Sequence, residues 1–158
     1  MTTVVSVTQV LSPNFAKIKT KVEARKELRH GFFYMLIPIG LYLLLFLTPN
    51  WVYYLFFTER FAPTAALTRN LVPAFIIFTL GNLPLQFVLY TIRKPSYVLY
   101  GNILYFSVMT AGCYFLIPQM GVKAPPLVNI FAILAPVTIL TIMTVYGYKK
   151  LPTTAPAD

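Results

Sequence analysis

Acidic side chains are nearly missing from this chain: its 158 residues include 4 Asp and Glu against 13 Lys and Arg, with 1 His and 1 Cys. The acids are Glu23, Glu27, Glu59 and Asp158, and none falls inside a long apolar run. That scarcity excludes a good deal. A hydrolytic constellation or a metal site cannot be assembled from so few and so scattered side chains, which argues against an enzyme and predicts no cofactor and no metal. Proton coupling through an intramembrane carboxylate is excluded within this chain. Cys113 stands alone, forms no intramolecular disulfide and reads as a small packing residue. His30, beside Arg29, reads as a polar anchor at a membrane interface rather than as a pH switch.

What the chain does have is apolar length. Hydrophobic residues make up 58% of it and charged ones 11%, and the mean hydropathy is +0.70. That is the composition of a membrane protein, not of a soluble domain. A bilayer's hydrocarbon core takes roughly 20 apolar helical residues to cross. Four stretches qualify, at 31–48, 71–91, 97–117 and 125–148. Backbone amides in lipid must be satisfied within the segment, and no alternating strand pattern repeats along the chain, so the expected fold is all-α, a polytopic bundle of four transmembrane helices. Between the third and fourth stretches "YFLIPQMGVKAPPLVN" reads as a tight turn, with Pro118 ending one helix and Pro125-Pro126 starting the next.

The Lys and Arg residues orient the bundle. With the N-terminal arm in the cytoplasm, Lys17, Lys19, Lys21, Arg25, Lys26, Arg29, Arg93, Lys94, Lys149 and Lys150 lie on that side, against Arg60, Arg69 and Lys123 outside. This is the asymmetry of the positive-inside rule, and it places both termini in the cytoplasm and the chain in the cytoplasmic membrane. Trp51, Tyr53 and Tyr54 after the first span, and Tyr97, Tyr146 and Tyr148 at cytoplasmic ends, suit an aromatic belt. Nucleic acid would also attract the net charge of +9, but the cations flank spans and no nucleic-acid motif accompanies them, so no nucleic-acid partner is expected.

Ahead of the first full span the pattern changes. Residues 1–13, "MTTVVSVTQVLSP", are apolar and uncharged but only about half a span long, with no basic n-region or cleavage site of the signal-peptide kind. Residues 14–30 intersperse Phe15, Ile18, Val22 and Leu28 with Lys and Arg and read as a basic amphipathic linker helix at the cytoplasmic surface. The four-helix domain then occupies 31–150 and a short cytoplasmic tail 151–158.

The order "VLSPNFAKI", a basic linker, a span, "WVYYLFFTERFAPTAALTRNLVP", a span ending at "RKP", and then "LIPQMGVKAPPLVN" resembles the C-terminal part of the polysaccharide and O-antigen flippases, members of the multidrug, oligosaccharidyl-lipid and polysaccharide exporter superfamily. In that family a pattern like LIP-x-x-G-x-x-G-A joins two late spans. Leu116, Ile117, Pro118 and Gly121 match it, and Ala124 stands where the second glycine is expected. A pattern G-x-x-(F/Y)-x-x-A follows an aromatic-rich helix end. Phe61 matches that one, while Thr58 replaces the glycine, Thr64 the alanine, and Ala65 comes one place late. The resemblance runs from about Val10 onward. It implies transport of a polyprenyl-diphosphate-linked oligosaccharide across the cytoplasmic membrane. It also implies that this chain corresponds to the last four spans of a second lobe and is inactive alone, its partners being membrane lipid and a missing N-terminal lobe or other membrane subunits. The alternative is a standalone small four-span subunit or interaction protein of a cell-envelope complex.

Candidate functional residues are polar groups at depth. Thr79, Asn82, Gln86 and Tyr90 recur at spacings of three, four and four and form one stripe, with Asn102 and Asn129 on later spans as partners. Such a stripe faces protein or a hydrated path, serving either interhelical hydrogen bonding or contact with sugar. Arg69, Arg93 and Lys94 are the interfacial cations. Pro38, Pro73, Pro84 and Pro136 fall inside spans, with Gly40 and Gly81 nearby, as in transporters that rock between two states or in a statically bent bundle.

Overall fold

The computed structural model describes residues 2–56 and 63–153. Among them all the regular secondary structure is helical. The α-helices are α1 (Thr2–Lys17), α2 (Lys21–Leu47), α3 (Asn50–Phe56), α4 (Pro63–Gln86), α5 (Pro95–Met120) and α6 (Ala124–Lys150). A π-helical turn, Phe87–Thr91, extends α4, and a 3-10 turn, Gly121–Lys123, joins α5 to α6. Thr58, Arg60 and Phe61 lie outside the described residues.

Three stretches are long and apolar enough to cross a membrane: Lys21–Leu47, Ala65–Thr91 and Pro95–Lys150. The last holds both α5 and α6, folded back on each other at Gly121, whose φ of 57° and ψ of −135° lie where only glycine sits without strain. Gly112 of α5 packs against Val128 and Gly101 against Pro136, so the two helices run antiparallel. Gly81 of α4 meets Val137, and Ile92, just past the π turn, meets Gly147, which makes α4 and α6 parallel. Gly31 meets Leu83, and the Tyr42 ring lies 5.4 Å from that of Phe75, which makes α2 and α4 antiparallel. The spatial order is therefore α2, α4, α6, α5, with α4 central. Half of its apolar window is buried, against 17% of that of α2.

These close approaches depend on missing side chains. A Cβ on Gly81 would stand 2.4 Å from Val137 Cγ2, and one on Gly112 2.5 Å from Val128 Cγ1. Small residues let backbones approach where apolar burial gives helices no net pull, because lipid tails are as apolar as leucine.

The N-terminal third departs from the expected boundaries. Helix α1 continues through Pro13 to Lys17, and the chain breaks at residues 18–20 instead. There a capping box forms. The Glu23 amide donates to Thr20 Oγ1 at 3.3 Å, and Glu23 Oε2 accepts from the amides of Thr20 and Lys19 at 3.2 and 2.8 Å. These bonds satisfy backbone donors that the helix itself leaves free. From Lys21 a single helix runs to Leu47 without interruption at Gly31, so the basic stretch is the first part of the span helix and not a separate linker. Pro118, likewise, lies within α5, which continues to Met120, while Pro125 and Pro126 occupy the first turn of α6, where missing amides cost nothing.

Helix α1 packs into the bundle beside α2 and α4. Leu11, Phe15, Ile18, Ala24, Met35, Leu83 and Phe87 form one buried cluster, and the Phe15 and Phe87 rings meet edge to face at 6.5 Å. The Lys21 amide donates to the Pro152 carbonyl at 2.9 Å, tying the start of α2 to the segment after α6. Together with the Ile92–Gly147 contact, this gathers the N-terminal cations, the Arg93-Lys94 turn and Lys149-Lys150 at one end of the bundle, while Arg69 and Lys123 stand at the other.

A candidate polar cleft among three helices

Helices α4, α5 and α6 do not close completely. Between them is a cleft of about 320 Å³ walled by Phe75, Phe78, Ile133, Pro136 and Leu140, with Asn82, Asn102, Tyr105 and Asn129 as its polar groups. Each comes from a different turn. Asn82 sits on α4 one residue past Gly81, whose contact with Val137 brings α4 and α6 together on one side of the opening. Asn102 and Tyr105 are three apart on α5 and so share a face. Asn129 lies in the second turn of α6.

The hydrogen bonds leave part of this chemistry unspent. Tyr105 Oη donates to Asn129 Oδ1 at 2.9 Å, and Asn82 Nδ2 donates to the Phe78 carbonyl of its own helix at 2.8 Å. Asn82 Oδ1, Asn129 Nδ2 and both polar atoms of Asn102 make no hydrogen bond among the described residues. Among the described residues no Asp, Glu, Lys, Arg or His lines the cleft. It offers amide donors and acceptors, a phenol and two aromatic walls, which is chemistry for a neutral, hydroxyl-rich group rather than for a diphosphate.

The polar stripe on α4 divides between two neighbours. Asn82, 8% exposed, turns to the cleft, whereas Gln86, 6% exposed, meets the Ser12 hydroxyl of α1 at 2.9 Å, a hydroxyl shared with the Thr8 carbonyl at 2.6 Å. Thr79 is fully buried and donates to the Phe75 carbonyl at 2.7 Å, and Tyr90 packs against the cluster around Phe15 and Phe87. Of the six stripe residues and partners, the structure brings Asn82, Asn102 and Asn129 together and assigns Thr79, Gln86 and Tyr90 to packing. Sequence reasoning missed Tyr105 and Ser12. Tyr105 had a signal, its three-residue spacing from Asn102. Ser12 had none, since 74 positions separate it from Gln86.

The interfacial cations lie away from the cleft. Arg69 Nη2 donates to the Thr48 carbonyl at 2.5 Å, at the C-terminal end of α2, where the helix dipole favours a cation. Arg93 has a φ of 58°, and the next amide, that of Lys94, reaches back to the Val88 carbonyl at 3.3 Å, closing the π turn. The Lys94 ammonium stands 5.8 Å from the Tyr97 ring centroid. Thr144 Oγ1 donates to the Leu140 carbonyl of its own helix at 2.8 Å and shares that proton with the Pro84 carbonyl at 3.3 Å, at the proline that precedes the π turn. Comparison with known proteins gives no match for this chain, whether with protein-family models, curated proteins or solved structures.

Proposed function

We propose that the chain is a four-span module of the polysaccharide and O-antigen flippase kind, which contributes a carbohydrate-contacting cleft to the passage of polyprenyl-diphosphate-linked oligosaccharides. In this reading α2, α4, α5 and α6 each cross the cytoplasmic membrane and both termini lie in the cytoplasm. The observation that carries it is the cleft, in which Asn82, Asn102, Tyr105 and Asn129 hold unspent hydrogen-bonding capacity beside Phe75 and Phe78. Unpaired amides facing lipid are costly, and a sugar hydroxyl or water satisfies them. The cleft's neutrality limits the role to the glycan. A diphosphate needs cations along its route, and this cleft has none. Further membrane helices complete the path.

The test is a photo-crosslinking phenylalanine analogue at Phe78 in the full chain, presented with polyprenyl-diphosphate oligosaccharide in vesicles. The expected result is a crosslink to the sugar-bearing lipid and none to polyprenyl phosphate, abolished by Asn82→Leu with Asn102→Leu. Equal labelling of both lipids would overturn the reading. Transport by the purified chain above that of empty vesicles would make it a transporter without added helices. Orientation is checked by labelling single cysteines in a Cys113→Ala background. Val122, exposed beside Gly121, should react from outside intact cells and Ser96 should not.

A second reading, a small membrane subunit of a cell-envelope complex, is favoured by α1. Val4, Leu11 and Phe15 are buried to 2% exposure or less, so α1 covers the flank of α2 and α4 with the chain's own residues. Loss of a larger complex on Leu11→Arg, with the bundle itself still folded, would favour it.

A further inference from the structure

The charges at the start of α2 are sorted by face. At about 100° per residue, Lys21, Arg25, Lys26 and Arg29 fall within an arc of roughly 140°, and Glu23 and Glu27 occupy a separate arc of roughly 40°. The cations, with His30, Phe33, Tyr148 and Thr153, line an open groove of about 740 Å³ between α2, the end of α6 and the segment that follows it. The Lys21–Pro152 backbone bond fixes that segment in place and so fixes the groove's far wall.

Neither carboxylate lines the groove. Glu23 is occupied by the amides of Lys19 and Thr20, and Glu27 lies on the α1 side, beside Asn14. Among the described residues nothing acidic lines the groove itself. Along the same helix face the cations give way to aromatic surface: the Arg29 guanidinium stands 6.0 Å from the Phe33 ring centroid, and Phe33 is more than half exposed. A ligand seated here meets several cations at its head and an apolar helix face below.

We propose that this groove is a binding site for the phosphate headgroup of an anionic phospholipid, its acyl chains lying along α2 past Phe33. The assignment does not rest on the flippase reading. Basic grooves where helices leave the membrane suit such headgroups, because the attraction of each cation acts within a screening length of the surface and the acyl chains are already in place. A soluble anion shares the headgroup chemistry but gains nothing from the apolar face.

The experiment uses the purified full chain, depleted of lipid in a neutral detergent and probed by native mass spectrometry and thermal unfolding. Phosphatidylglycerol should be retained and should raise the melting midpoint, while phosphatidylcholine does neither and sodium pyrophosphate gives no shift at equal concentration. With each cation contributing about fivefold, Arg25→Gln, Lys26→Gln and Arg29→Gln together should weaken phosphatidylglycerol binding more than tenfold. The charge-matched set Lys17→Gln, Lys123→Gln and Lys149→Gln, none of which lines the groove, should leave it within about twofold. Equal loss in both sets would mean net charge and not a groove, and would overturn the site. Retention of phosphatidylcholine, or a pyrophosphate shift as large as that of phosphatidylglycerol, would overturn the assignment to an anionic phospholipid. Melting of each variant without lipid checks folding, and Lys26→Gln alone provides the same comparison if the triple variant does not fold.

Discussion

Around Phe87, at the basic end of α4, α1 and α2 close over the helix until Phe15 and Phe87 have no exposed surface. Little more than a turn earlier, around Asn82, α5 and α6 stand off from the same helix and leave a cleft of about 320 Å³. The first region is made of aliphatic and aromatic side chains with two polar contacts to α1, Ser12 with Gln86 and the Thr91 hydroxyl with the Phe15 carbonyl. The second keeps four polar side chains within an apolar wall and pairs only two of them with each other. In lipid, packing is the main source of helix cohesion, so the closed region holds the bundle and the open one is free to differ. The difference separates a stabilising half of α4 from a half available to a ligand.

The comparison breaks most visibly if the closed region does not hold the fold. Phe87→Ala removes a fully buried ring with an edge-to-face partner and should cost about 3 to 5 kcal/mol in an unfolding titration in mixed micelles. Phe131→Ala, on the exposed side of α6, should cost under about 1 kcal/mol. Similar losses at the two positions would mean that α1 and its cluster are ornamental.

Next in size is the seam between the regions. Gly81→Ala sets a Cβ against Val137 and should destabilise by about 1 to 3 kcal/mol, since two packed helices must shift to admit it. Adding Val137→Ala should recover most of that loss, so that the two changes are strongly non-additive. Additive losses would place the strain elsewhere. Below it comes the polar pair. Gln86→Leu should cost about 0.6 to 2 kcal/mol, and Ser12→Ala should then add little, because the bond at 2.9 Å is already gone.

Much of this was readable from residue order, and what was not has definite physical causes. Apolar length identifies the helices long and apolar enough to cross a membrane, because lipid leaves the backbone no alternative to internal hydrogen bonds. Gly31 and the charges before it do not stop α2, because neither deprives the backbone of a bond, and the stop instead follows Thr20 and Glu23, whose reciprocal cap is legible as T-x-x-E. Pro13 and Pro118 read as boundaries because each removes a ladder bond, yet both sit on exposed helix surface. Within the polar stripe the spacing shows that Asn82 and Gln86 face the same broad side. It cannot show that two different helices meet that side, because the division depends on α1 and on contacts distant in sequence.

A smaller effect with the opposite sign tests the end of the closed region. Arg93 sits at a φ of 58°, where a Cβ is crowded, immediately after the π turn. Arg93→Gly should stabilise the bundle by about 0.5 to 1 kcal/mol if the turn is otherwise unchanged. A loss of stability would mean that the side chain contributes more than its backbone strain costs.

The smallest expected effect on stability sharpens the comparison most. Asn102 is exposed to the cleft and has no hydrogen-bond partner among the described residues, so Asn102→Leu removes no hydrogen bond and relieves an unpaired amide beside an apolar wall. Its melting midpoint should equal or slightly exceed that of the unaltered chain, within about 0.5 kcal/mol. Crosslinking to a sugar-bearing polyprenyl lipid should nevertheless fall, because a leucine cannot receive or donate to a hydroxyl. Asn129→Leu is the control: it breaks the 2.9 Å bond from Tyr105 and should therefore lower both stability and crosslinking. If Asn102→Leu destabilises the bundle as Asn129→Leu does, the amide is held by a partner and the cleft is a packing defect. If it leaves both stability and crosslinking untouched, the cleft contacts no sugar and the flippase reading fails at the residue that carries most of its unspent chemistry.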